Sequence, residues 1–104
     1  MRPMISPLQG ALLRAIRRVA GQAPIVESLS GRAWASATFA GERLELALRL
    51  EGPAAAAAAD RLVALLGEAE LSVPGYIVAD VALGLRSDEA GHVRLLFDIL
   101  TVED

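Results

Sequence analysis

Leu44, Leu46, Leu48 and Leu50 alternate without a break with Arg43, Glu45, Ala47 and Arg49. A period of two over this length is the pattern of a β-strand with one face buried and the other wet, so the chain must build a sheet and cover one of its sides. The last stretch, VRLLFDILTVED (residues 93–104), also reads as a strand, with Val93, Leu95, Phe97 and Ile99 on one face. Its opposite face carries Leu96, Leu100 and Val102 and is largely apolar too. Something must therefore cover the second side.

Helices are available to cover the first. In SPLQGALLRAIRRVAG, Ser6 caps, Pro7 takes the first helical position and Gln9 completes an S-x-x-Q box. Leu8, Leu12, Ala15, Ile16 and Val19 recur at helical spacing, and Gly21 suits the C-cap, which predicts a helix over about 6–20. Arg14, Arg17 and Arg18 lie toward its C-terminal end, where a solvated cationic cluster suits the helix dipole; an acidic partner surface is the sharper alternative. GPAAAAAADRLVALLG predicts a second helix over about 53–67, opened by Pro53 and stopped near Gly67. Its alanine run supplies helix propensity, and its small side chains also allow close approach to a sheet or a neighbouring subunit.

The strands group into two hairpins. Residues 23–32 carry weak signals and read as loop, with room for an edge strand; the first hairpin is expected over about 33–50 with its turn near Ala40–Gly41. SVPGY marks a turn at Pro74–Gly75, and a second hairpin follows over about 76–102 around a polar tip at Ser87–Gly91. The order is α-ββ-α-ββ in one unit of 104 residues: an α+β fold with a small antiparallel sheet and two helices packed on it.

With both helices on one side, the other side is left with Tyr76, Val78, Asp80, Ala82, Leu96, Asp98, Leu100 and Val102. The apolar members Tyr76, Val78, Leu96, Leu100 and Val102 are the expected oligomer interface. A hydrophobic fraction of 54%, high for so short a chain, points the same way. One helix on each side of the sheet is the rival arrangement.

A five-residue hairpin tip would put Asp80 directly opposite Asp98, and like charges so placed destabilise a ladder. Three resolutions are open: a different register, neutralisation by an arginine such as Arg43 or Arg49, or a role for the pair in cation binding or acid–base chemistry. His92 reads as a hairpin-end residue and Trp34 as core or interface.

The exclusions are broad. A net charge of −3 supplies no cationic field for nucleic acid or an anionic membrane. The chain has no cysteine and one histidine, which removes disulfides, thiol nucleophiles and the ordinary zinc spacings. No nucleophile elbow, phosphate-binding loop or dinucleotide fingerprint occurs, so neither catalytic residues nor a cofactor or metal is expected. The opening MRPMISPLQG lacks the apolar core of a secretory signal, and no run approaches the roughly 20 apolar residues of a membrane span, which predicts a cytoplasmic product.

The stretch TFAGERLELALRLEGPAAAAAADRLVALLGEAELSVPGYIVADVALGLRSDEAGHVRLLFDILTVED (residues 38–104) resembles the tail-completion proteins, or tail terminators, of long-tailed phages and gene transfer agents, and the match spans about residues 34–104. The features that carry the resemblance are a strand running into an Ala-rich helix, an LPGY-like turn at Val73–Tyr76, a hairpin with a charged tip, and a closing strand that ends in the step Leu100–Thr101. The resemblance implies a non-enzymatic homo-oligomeric ring, typically a hexamer, that caps the tail tube and joins it to head–tail connector proteins. It also implies DNA as passing cargo, without specific binding, and a place in a virion-like particle after cytoplasmic assembly. Residues 23–32 are shorter than the family's stretch between the first helix and the first hairpin. An unrelated oligomeric α+β module for a small ligand is the competing reading, and an acid–base enzyme built on Asp80 and Asp98 a third.

Overall fold

The computed structural model describes residues 6–66 and 73–104. Its elements are α1 (Pro7–Ala20), β1 (Ile25–Ala35), β2 (Ala40–Glu51), α2 (Ala55–Leu66), β3 (Tyr76–Glu89) and β4 (His92–Glu103). The strands form one antiparallel sheet in the order β1-β2-β4-β3, an α+β fold with the element order α-ββ-α-ββ.

α1 starts as its sequence dictates. The Ser6 hydroxyl accepts from the Gln9 N–H at 3.1 Å while the Gln9 side-chain oxygen accepts from the Ser6 N–H at 3.4 Å, so two otherwise orphaned donors are satisfied reciprocally. Gly21 ends the helix at φ 76°, a left-handed conformation that costs a residue without Cβ little. The stripe Leu8, Leu12, Ala15, Ile16 and Ala20 is buried. α2 buries Ala55, Ala58, Ala59 and Leu62. The Arg61 guanidinium of α2 donates to the Ala20 carbonyl at 2.6 Å, placing a cation at the negative end of α1. The expected stop of α2 at Gly67 lies outside the described residues.

Both helices contribute to one apolar cluster with Leu44, Leu46, Leu48 and Leu50 of β2, Val93, Leu95, Phe97 and Ile99 of β4, and Val78 of β3. They therefore share a single face of the sheet. The alternation that marks β2 and β4 is the trace of this one-sided cover, since every second residue meets the helices.

Four details depart from the sequence-based expectation. β1 begins at Ile25, inside the stretch read as loop with room for an edge strand, and its signal is weak because an edge strand exposed along nearly its whole length has no buried face to impose a period on its residues. The first turn lies at Ser36–Phe39, where the Ser36 N–H donates to the Phe39 carbonyl at 2.7 Å, and Gly41 sits inside β2. The second hairpin pairs as far as Glu89 and His92, so its tip is the two residues Ala90–Gly91, with Gly91 at φ 85°. Finally, β3 is irregular against β4 between Val78 and Asp80 and again between Leu83 and Leu85, and each irregularity changes which residues face the helices.

Candidate interface on the uncovered sheet face

Directly opposed residues in an antiparallel ladder share a face. The register therefore resolves the side away from the helices into rows running from β1 through β2 and β4 to β3. One row is Arg32, Arg43, Leu100, Asp80; the next is Ser30, Glu45, Asp98, Ala82; the third is Ser28, Ala47, Leu96, Leu85; the fourth is Ile25, Arg49, Arg94, Ser87. Ile77 opposite Val102 continues the apolar content at one end of the β3–β4 pair, and Glu89 opposite His92 closes the other.

Among the residues expected to form an interface, Leu96, Leu100 and Val102 do lie on this side, each half-buried. Val78 does not: it is 6% exposed and belongs to the core. Tyr76 also packs against the core, opposite Glu103 on the helix-covered side. The irregularity after Val78 is the cause, since one extra residue in a strand reverses parity beyond it. The same effect brings out two side chains that parity counting passes over, Ile77 (54% exposed) and Leu85 (57%). Gly84 was the available signal for Leu85, because glycine inside a strand often marks a bulge.

Asp80 and Asp98 are not opposite each other. Asp80 faces Leu100, and Asp98 stands between Glu45 on β2 and Ala82 on β3. The two-residue tip sets this register and the irregularity between Leu83 and Leu85 offsets it only in part, so the first of the three resolutions is the one realised. Among the described residues no three His, Asp or Glu side chains are placed to hold a metal ion.

Three like-charged pairs stand directly opposite on this face: Arg32 with Arg43, Glu45 with Asp98, and Arg49 with Arg94. The third is neutralised internally. Glu27, the extra residue between Val26 and Ser28 in β1, accepts from Arg94 at 2.9 Å and lies 3.6 Å from Arg49, which also pairs with Glu51 at 2.9 Å. Among the described residues the other two pairs make no ion pair. Arg32, Arg43 and Glu45, with Ser30 and Gly31, line a shallow depression of about 240 Å³.

The remaining expected site residues have structural partners. The Trp34 indole N–H donates to the Thr101 carbonyl at 3.1 Å. Buried Thr101 exchanges two 3.1 Å hydrogen bonds with the Glu42 backbone through its hydroxyl. His92 lies 2.6 Å from Glu89 at the hairpin end. On the helix side Arg86 bridges Asp60 of α2 at 2.8 Å and Asp88 at 2.7 Å. Its hydrogen bond holds the Asp88 carboxyl below the ordinary carboxylate range, and the two carboxylates raise the Arg86 guanidinium further above its own. These contacts tie elements together, and Asp88, Glu89 and His92 also line an open cavity of about 570 Å³ beside Gly52, Pro53, Ala55 and Ala56.

What the fold and this face define is a two-layer α+β protein with one side of its sheet left open by the described residues. Comparison with protein-family models, curated proteins and solved structures finds no match to the chain. No helix among the described residues is long and apolar enough to cross a membrane.

Proposed function

We propose that this protein is a structural, non-enzymatic ring component of a phage-like tail, of the tail-terminator type. It self-associates, as a hexamer on the family pattern, at the junction between the tail tube and the head–tail connector, with DNA passing as cargo. Assembly in the cytoplasm and incorporation into the particle follow from that role. The observation that carries the reading is the open sheet face, where Ile77, Leu85, Leu96, Leu100 and Val102 offer apolar surface that no element among the described residues covers. The order of motifs from Trp34 to the closing Leu100–Thr101 step supplies the choice of tail terminator among assembling proteins.

The test is assembly itself. Light scattering coupled to size exclusion on the purified chain, followed by electron microscopy of the chain mixed with a tail-tube protein from the same genome, should give rings seated on tube ends. A chain that stays monomeric at high concentration both alone and with the tube protein overturns the proposal.

A further inference from the structure

We propose that the open sheet face is an interface between two copies of this chain in which Arg32 and Arg43 of each copy meet Glu45 and Asp98 of the other. The inference rests on the self-association proposed above, but not on ring closure or on a tail.

Three like-charged pairs on one surface are treated unequally by the fold. Like charges directly opposite in a ladder are destabilising. At Arg49 and Arg94 the chain removes that repulsion itself, by way of the bulged Glu27 and of Glu51. Arg32 with Arg43, and Glu45 with Asp98, have no such internal partner among the described residues. The two uncompensated pairs have opposite sign and occupy neighbouring rows. A surface carrying both is complementary to itself: each copy gives an arginine pair and receives one, as an isologous contact requires.

Size and chemistry agree with a second copy as the occupant. The molecule is a plate whose extents are 47 × 36 × 21 Å. Its broad side is ample for the roughly 800 Å² per partner of a stable interface. Stacked sheets lie about 10 Å apart, a gap that arginine side chains reach across. Leu96, Leu100 and Leu85, beside the charged rows, supply the apolar centre, and the charges set alignment.

Charge reversal tests this. Arg43→Glu turns the basic pair acidic, and Asp98→Arg turns the acidic pair basic; both positions are exposed, so both chains should give wild-type circular dichroism. Each variant alone should self-associate at least about tenfold more weakly than wild type in sedimentation velocity. Mixed in equal amounts they should recover a mixed assembly. The two substituted side chains, of opposite sign, then face each other across the contact, while the unchanged Asp98 of one variant faces the unchanged Arg43 of the other. Pull-down through a tag on one variant detects the mixed species. Arg14→Glu, on α1 beyond the opposite side of the sheet, should leave association unchanged. If wild type associates and both reversals associate equally well, or if the mixture fails to recover, this inference is overturned and the assembly reading stands. If wild type associates neither alone nor with the tube protein, both fall.

Discussion

Replacing Gly41 by alanine should destabilise this protein more than any other single methyl addition on the sheet. A Cβ built at Gly41 overlaps the Thr101 carbonyl oxygen and stands 2.7 Å from its carbon and 3.0 Å from the Val102 Cα, where ordinary contact begins at 3.4 Å. The obstructing atoms are all β4 backbone, so no side chain can swing aside and the strands themselves must part. Three hydrogen bonds meet at this point: Trp34 to the Thr101 carbonyl and the two between the Thr101 hydroxyl and the Glu42 backbone. At about 1 kcal/mol each, their loss totals about 3 kcal/mol. That is a large part of the 5–15 kcal/mol typical of a small domain, and corresponds to a fall in Tm of roughly 12–24 °C. Gly84→Ala is the control. Its Cβ meets nothing nearer than 3.5 Å and its φ is not positive. Narrowing the unfolded ensemble should leave that variant unchanged or more stable by about 0.4–1 kcal/mol. Melting followed by circular dichroism, with the fluorescence of the single tryptophan reporting on the Trp34 contact, reads both. Equal melting temperatures for Gly41→Ala and wild type would refute the close approach of β2 and β4.

Phe97→Asp should unfold the chain, because it buries an unpaired carboxylate at a 1% exposed position at a cost of several kcal/mol, whereas Leu100→Asp should keep the fold and lose association. Circular dichroism and sedimentation separate the two, and equal unfolding of both would show that both sheet faces are covered within one chain. Ser6→Ala should lower stability by about 1 kcal/mol through loss of the α1 cap, with Ser6→Asp restoring it in denaturant titrations. Because Asp88 has a depressed folded pKa, its contribution to stability is complete above the ordinary carboxylate value near 4 and disappears as pH falls through the depressed one. The difference in Tm between wild type and Asp88→Asn should therefore shrink on acidification; a difference constant from about pH 7 to pH 2 would count against the Arg86–Asp88 contact.

Local signals carried most of the architecture. The Ser6–Gln9 box, Pro7 and Gly21 delimit α1 because capping is chemistry between residues three or four apart, which a linear reading contains. The alternation in β2 and β4 survives in the sequence because the helices bury one side of both strands along their lengths. Leu96, Leu100 and Val102 could be assigned to the open face for the same reason. Tertiary structure alone placed the rest. β1 is an edge strand held by pairing to β2, so its residues answer to no burial pattern. Gly41, read locally as a turn, is glycine because Thr101, 60 residues away, leaves no room for a Cβ. The irregularities after Val78 and Leu83 exchange the faces of β3, sending Val78 into the core and Ile77 and Leu85 out, while the two-residue tip moves Asp80 away from Asp98. Parity along a strand can be counted from sequence only while pairing stays regular, and regularity is a property of two strands together.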